Sequence, residues 1–586
     1  MRIYKMLSYI FTKKQRWQFV GIFFLQLIAT LLDFAGISLI LPFVNILVNP
    51  NAIVGTWWGG LIGRIMGSSD ANDILLFLTF LMIGVYVVKN AYLLLLTGIQ
   101  TRFNFNNHIR MGSKMITCYM HKPYTYHLQR NTSEIIRNIN HDVSSAFGMI
   151  SAIFSLISDA LIIIILVVYL FAVDPWMTIA VMLALAVCSV VYFLIVRRKI
   201  RLFGQENREI SAKMIKAIHQ SMGGIKEVKI MGREQYFSDV YVSAGEEMVS
   251  RRRRYAIISA IPARLIETLC MSSILTVIAV KIMSGQDMAS LIPGLSAFAV
   301  CAIRLLPRAN SINGTINGIT YSLPSLESLY DELKDSERLE KEREEEIARK
   351  KAEKKIVSVG KESDIFVRNL TFTYPEKEEP VLKNVNLEIK HGTSVGIVGV
   401  TGAGKTTLVD VILGVLKPQE GTVCLGALDI HEDYAEWQKH IGYIPQNIYL
   451  TDETIRKNVA LGIPDDEIND EQVWRSLESA QLADFVRSLE KGLDTVVGEC
   501  GVRISGGQRQ RIGIARALYH DPEILFFDEA TSSLDNETEK AVMDSINSLG
   551  GEKTMIIVAH RLTTLTGCDK IYQVDQDGIH ETELKL

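Results

Sequence analysis

Six apolar runs, all within the first 320 residues, constrain this chain more than any other feature. Residues 19–48, 74–99, 149–173, 177–196, 257–283 and 288–319 are apolar, and they match or exceed the ~20 residues that carry a helix across a bilayer. In hydrocarbon every backbone N–H and C=O must be satisfied within the segment, so runs of this kind are read as helices. Six of them exclude a set of core helices in a soluble protein. The composition agrees: 48% of the 586 residues are hydrophobic and 22% are charged, as expected for an apolar half joined to a charged half. Asp174-Pro175 marks a tight turn between the third and fourth runs.

Charge placement sets the topology. Lys and Arg crowd the N-terminus, residues 102–137 and residues 197–254, whereas the connectors at 49–73, 174–176 and 284–287 hold only Arg64. By the positive-inside rule both termini and both long loops are cytoplasmic. The two loops carry amphipathic helical patterns, which predict bundled helices extending into the cytosol. Near their tips, Asn131-Thr132-Ser133-Glu134 reads as a capping box opening a short helix, with Gly223-Gly224-Ile225-Lys226-Glu227 at the other tip; both are expected to touch the second domain, loop punctuation being the alternative for the Gly pair. The organisation expected is a transmembrane domain over 1–330, a charged linker over 331–363 and a second domain over 364–586. The linker reads as a solvated helix or tether. A net charge of −3 argues against a nucleic-acid partner. The seven cysteines are scattered with no C-x-x-C pair, which excludes a zinc site. The apolar run after Lys13, Lys14 and Arg16 is too long for a cleavable signal peptide.

The chemistry lies in the last third. Gly399, Val400, Thr401, Gly402, Ala403, Gly404, Lys405, Thr406 and Thr407 fit G-x-x-x-x-G-K-[ST] between a buried-strand pattern and a helical one. Glycines let backbone N–H groups wrap phosphate oxygens, and the helix N-terminus adds partial positive charge there. Lys405 is expected on the β/γ-phosphates and the Thr406 hydroxyl on Mg²⁺. Tyr374 is placed to stack on adenine, and the Gln446 amide to complete Mg²⁺ coordination. Ser505, Gly506, Gly507 and Gln508 open a helix and form a second anion cradle. That cradle cannot serve the phosphate held by Lys405 unless two domains face each other. The apolar strand at 524–528 ends in Asp528 and Glu529: the first is suited to hold Mg²⁺ through water, the second to polarise an attacking water. His560 closes another buried-strand pattern and is placed to contact the γ-phosphate and hold Glu529.

Together these residues resemble the ATP-binding cassette: Walker A at 399–407, the Q-loop at Gln446, the signature at 505–508, Walker B at 524–529, the D-loop at 532–535, the switch at His560 and the A-loop at Tyr374. Residues 497–501 look like the X-loop of exporters. Six spans before one cassette look like a type IV ABC exporter half-transporter: an α-helical six-span transmembrane domain plus an α/β P-loop NTPase domain. The resemblance implies ATP and Mg²⁺ as cofactors, catalysis by Glu529 and His560, and a dimer in which Ser505 and Gly507 of one chain close on ATP held by the other. A homodimer with two competent sites is expected. Ile504 and Ser533 depart from the family's usual Leu and Ala without removing a catalytic group.

The substrate is less constrained. Ionisable residues inside apolar spans are costly and mark cavities or partners. Asp33 and Lys89 read as one ion pair, and Arg264 and Glu267 as another; Arg304 and Arg308 have no acid nearby in sequence. Arg264, Arg304 and Arg308 form a candidate basic belt for phosphate or diphosphate. Residues 123–127, 131–138, 224–234 and 304–308 resemble bacterial lipid-linked oligosaccharide flippases. That resemblance implies a polyprenyl-diphosphate head group moved across the bacterial inner membrane. The rival readings are an exporter of hydrophobic drugs, lipids or peptides, and a non-transporting regulatory ATPase.

Overall fold

The computed structural model describes residues 2–38, 71–284, 288–353, 363–375, 377–498, 501–528, 540, 544, 553–559, 565, 567–575 and 578–582. Glu529, His560, the D-loop at 532–535 and Glu499 and Cys500 of the X-loop lie outside them. The chain divides into two units. The first is Met1–Lys122 with Arg130–Leu339; the second is Glu340–Leu586 with Pro123–Gln129.

The first unit is built of long helices: α1 (Arg2–Ile10), α2 (Lys13–Ser38), α3 (Ala71–Met120), α4 (Tyr124–Gln129, grouped with the second unit), α5 (Thr132–Arg137), α6 (Val143–Val173), α7 (Pro175–Gly223), α8 (Ile225–Ile230), α9 (Glu234–Met283) and α10 (Met288–Glu353). Among the described residues, five helical stretches are long and apolar enough to cross a membrane. The sixth apolar run opens α10, where the side chains before residue 301 fall outside the described set. The 50 residues of α3 reach about 75 Å at 1.5 Å per residue, more than twice a ~30 Å hydrocarbon layer. The excess in α3, α7 and α9 continues as helix through the two long loops, as their patterns predict, and α10 likewise continues beyond the sixth apolar run.

Local chemistry explains the joints. Asp174 caps α7, its Oδ1 accepting the Met177 N–H at 3.2 Å, with Pro175 at the first helical position, where its missing N–H costs nothing. Asn131 likewise caps α5 by accepting from Ser133 N. The reciprocal half of the expected box does not form, because the Glu134 carboxylate turns to Arg130 at 3.2 Å. A π-turn at Asn138–Asp142 follows and brings Asp142 into the interior. There its fully buried carboxylate accepts from Arg208 Nε at 3.0 and 3.1 Å and from Ser325 Oγ at 2.8 Å, tying the start of α6 to α7 and α10. Within the spans, Ile162, Leu166 and Leu170 of α6 share a core with Val181 and Leu185 of α7, Ile266 and Cys270 of α9 and Leu305 of α10. Gly204 lets α7 approach α10 so closely that a Cβ would lie 2.0 Å from the Tyr321 carbonyl.

The charged linker begins as helix, its charged side chains exposed or half-buried and Leu333 turned inward. α10 runs unbroken to Glu353, and up to Leu339 it belongs to the first unit. Leu329 and Leu333 are buried there. The deeply buried Lys122 ammonium pairs with Asp335 and, at 3.7 Å, with Glu332.

In the second unit, β1 (Ile365–Phe372), β2 (Leu382–Ile389), β4 (Glu420–Leu425) and β5 (Leu428–Asp429) form an antiparallel sheet in the order β2-β1-β4-β5. A second sheet has the order β10-β9-β3-β8-β7-β6 among the described residues. Its strands are β3 (Ser394–Val398), β6 (Ile441–Ile444), β7 (Ile524–Asp528), β8 (Thr554–Val558), β9 (Lys570–Asp575) and β10 (Gly578–Thr582), and only the β9–β10 pair is antiparallel. Every residue of β7 and β8 is buried, as in parallel strands covered on both faces. The alternation of side chains sorts the two faces. Ile524, Phe526, Ile556 and Val558 share a core with Leu408, Val409 and Ile412 of α11 (Lys405–Ile412). Leu525, Phe527, Met555 and Ile557 share a core with Ile512, Ile514 and Leu518 of α12 (Gly506–Leu518).

Candidate nucleotide site and membrane charges

Parallel registry puts the C-terminal ends of β3, β8, β7 and β6 along one edge, where ligands of open α/β sheets bind. The P-loop leaves β3 at this edge, Asp528 ends β7, and Gln446 follows β6 by two residues. Walker A, Q-loop and Walker B residues separated by up to 129 positions therefore meet because of strand order. Gly404 opens α11 in the left-handed region, at φ 101°, with Val381 and Leu382 tight against where a Cβ would sit. A side chain there would be strained twice over. Lys405 is buried, and its Nζ donates to the Gly399 carbonyl at 2.9 Å and the Val400 carbonyl at 3.2 Å, which bends the loop round the ammonium. Thr406 is exposed at the first turn of the helix. The Tyr374 hydroxyl meets the Thr407 hydroxyl at 3.1 Å, and its ring packs edge-on against Phe372 at 5.0 Å.

Two groups that the sequence did not single out sit beside Asp528. Burial, then the Asp528 charge, pushes the Asp410 carboxyl up to about 6. Burial, then Asp528 and Asp410, raises the Tyr443 phenol, which hydrogen-bonds Asp528. Negative charge thus accumulates at the end of β7, an arrangement that favours a cation there. The signal in the sequence was faint: an aspartate in the middle of the P-loop helix, and a tyrosine before Pro445.

Ser505 caps α12 in a full capping box. Its Oγ accepts from Gln508 N at 3.2 Å while Gln508 Oε1 accepts from Ser505 N at 2.8 Å. Ser505 and Gly506 are exposed. The helix that presents them packs on the opposite face of the sheet from α11.

The family description "ABC transporter" matches residues 382–532, and "ABC transporter transmembrane region" matches residues 19–290. The chain belongs to the ABC transporter family. As in that family, the second unit binds ATP and couples its hydrolysis to transport, and the chain is a multi-pass membrane exporter of the type IV half-transporter kind. It is similar to proteins named "ATP-dependent lipid A-core flippase": 28% identical to that of Cupriavidus metallidurans over 86% of this chain and 83% of the relative, 26% to that of Photobacterium profundum over 97% and 94%, and 27% to that of Salmonella typhimurium over 93% and 90%. Its fold is shared with a solved structure described as "Structure of a bacterial Atm1-family ABC exporter with ATP bound", at a TM-score of 0.76 and 21% identity over 97% of this chain and 94% of that one.

In the membrane half of this transporter the charges are distributed unequally. Lys89 pairs with Asp33, both buried. Arg308 donates to Asp159 at 2.7 Å and approaches Asp33 at 3.7 Å, so four charges from α2, α3, α6 and α10 form one neutral quartet. The missing acid for Arg308 is therefore Asp159, an aspartate inside the third apolar run. Its cost in that position was the signal to look for a partner. Among the described residues Arg264 meets only Glu267, one turn along α9 at 3.4 Å, and its side chain is 85% exposed. Arg304 is half-buried on α10.

Proposed function

We propose that the protein is a homodimeric, ATP-driven lipid flippase of the bacterial inner membrane, with both termini cytoplasmic. Its cargo is a lipid whose saccharide head carries phosphate or diphosphate, a polyprenyl-diphosphate-linked oligosaccharide being the specific case. The observation that carries the substrate reading is Arg264. A guanidinium on a membrane-spanning helix with 85% of its side chain exposed is too costly to leave in lipid, so it belongs to a cavity or a partner. With Arg304 it supplies paired donors for phosphate oxygens. The relatives named as lipid A-core flippases support a lipid as the cargo.

Two copies are needed because α11 and α12 lie on opposite faces of one sheet, so the Ser505 cradle of one chain serves the triphosphate at Lys405 of the other. The Thr406 hydroxyl, the Gln446 amide and the Asp528 carboxylate are hard oxygen donors of the sort Mg²⁺ takes beside phosphates, and they would hold it. Bound there, Mg²⁺ neutralises phosphate charge. Glu529 orients the attacking water, and His560 holds Glu529 and the γ-phosphate.

The test is ATP-dependent flipping in proteoliposomes of a diphosphate-linked glycolipid, with Glu529→Gln as the inactive control. Arg264→Gln with Arg304→Gln is expected to abolish flipping while sparing basal ATPase. Undiminished flipping by that variant, or ATPase stimulated by hydrophobic cations but not by phosphorylated lipids, would replace this substrate class with the hydrophobic-drug reading.

A further inference from the structure

α7 and α9 run antiparallel as a hairpin whose register is fixed by side chains. Tyr192 Oη donates to the Ile258 carbonyl at 2.9 Å, Arg252 Nε donates to Asn207 Oδ1 at 3.1 Å, and Arg251 meets Glu206 at 3.3 Å. On α7, apolar side chains are exposed from Trp176 through Ile179, Leu183, Val187 and Leu194 to Ile195. Those 20 residues span about 30 Å, one hydrocarbon thickness. Trp176 stands at one border, where an indole prefers the interface. At the other border the surface changes abruptly to Arg197, Arg198 and Lys199, all exposed. On α9 the exposed apolar face begins at Ile257, and Arg253 and Arg254, also exposed, stand just before it.

Counted from Arg251–Glu206 and Arg252–Asn207, residues 253–254 stand opposite residues 203–206, about 10 Å along the axis from residues 197–199 at 1.5 Å per residue; counted from Tyr192–Ile258, they stand opposite residues 196–197. The five cations thus fall in one band no more than about 10 Å deep, which long Arg and Lys side chains bring to a single ~5–7 Å headgroup layer. Of the acids nearby, Glu206 is engaged by Arg251 and Glu327 by Arg201 and Arg2, while Glu209, exposed on α7, makes no ion pair with the five cations among the described residues. Among the described residues none of Arg197, Arg198, Lys199, Arg253 or Arg254 makes an ion pair, and the one contact recorded for them is the Arg197 guanidinium over the Phe193 ring at 5.3 Å. Five like charges crowded onto two touching helices repel one another unless an anion joins them.

We infer that this collar is a binding site for anionic phospholipid headgroups of the cytoplasmic leaflet, separate from the transport route. Phosphodiester oxygens bridge α7 and α9 there, with the acyl chains lying along the exposed apolar faces of Leu194, Ile195 and Ile257. The site screens the collar's self-repulsion and holds the hairpin at fixed depth. The preference comes from lipid charge, at roughly fivefold in affinity per basic residue close to an anionic surface.

The test is native mass spectrometry of the full-length transporter released from nanodiscs containing phosphatidylglycerol and phosphatidylcholine. The two proteins compared are wild type and the variant Arg197→Gln, Arg198→Gln, Arg253→Gln, Arg254→Gln, with ATPase activity reporting folding. Wild type is expected to retain phosphatidylglycerol preferentially, and the variant to lose that preference at least tenfold while still hydrolysing ATP. Arg264→Gln, which touches the proposed cargo site and not the collar, is expected to leave the retention intact. Equal retention of the two lipids by wild type, unchanged retention by an ATPase-active collar variant, or loss of retention in Arg264→Gln would each overturn the inference. If the four-site variant does not fold, the two-site variant Arg253→Gln, Arg254→Gln is measured instead, with a drop of at least fivefold expected and no drop overturning it.

Discussion

Replacing Asp142 by asparagine removes one charge without removing volume, so its effect isolates electrostatics. The carboxylate is fully buried, with Arg208 at 2.9–3.1 Å, Arg137 at 3.7 Å and Ser325 Oγ at 2.8 Å. Burial alone would raise its pKa; hydrogen bonds from His141 and Arg208, the Arg208 charge and the Ser325 hydroxyl outweigh that and hold it below the usual carboxylate range. In Asp142→Asn the largely buried guanidinia of Arg137 and Arg208 lose their counter-charge, and breaking such a pair costs about 3–5 kcal/mol. At roughly 2 °C or more per kcal/mol for a domain of this order of size, melting falls by about 6 °C or more. The assay is scanning fluorimetry of the detergent-purified transporter at one scan rate, because unfolding of such proteins is often irreversible. Ser325→Ala removes one hydrogen bond and is expected to cost about 1 kcal/mol. The folded-state pKa is depressed, so this stabilisation is present above the ordinary aspartate pKa and is lost as pH falls below about 4. An Asp142→Asn protein melting within 1 °C of wild type at pH 7, or a Ser325→Ala protein equally damaged, would refute the reasoning.

Three further outcomes follow from the same structure. Arg308→Ala leaves Asp159 buried and alone and is expected to cost about 3–5 kcal/mol, whereas Asp159→Asn costs less because Arg308 keeps Asp33 at 3.7 Å; melting temperatures in the reverse order would contradict the quartet. The folded-state pKa of Asp410 is raised to about 6, so its contribution to stability is full below about pH 4 and lost as pH rises to 6; Asp410→Asn should flatten that step in nucleotide-free protein and gain about 1–2 kcal/mol at pH 7.5, after discounting for partial exposure. Ser505→Ala removes the cap of α12 at about 1 kcal/mol and should suppress ATPase far more than it weakens nucleotide binding in a fluorescence titration; an equal loss of both would mean that Ser505 serves its own chain's nucleotide.

The apolar runs dictated helices because hydrocarbon leaves a backbone no other choice, and the P-loop dictated a strand, a turn and a helix because phosphate recognition needs them in that order. Both were legible locally, as were Asp174 and Ser505, whose capping depends on the next three residues. The half-formed box at Asn131 was not, because Glu134 had a better partner in Arg130. Nor was the partner of Arg308, since Asp159 lies 149 residues away and meets it only when α6 and α10 pack. The placement of Lys405 and Ser505 on opposite faces of a sheet likewise depends on strand order, which brings β8 beside β3, and β7 beside β8, across more than 120 residues of intervening chain. Sequence periodicity tells which residues share a face of their own element; only the packed structure decides which elements share a core, and it is there that buried charges find their counter-charges.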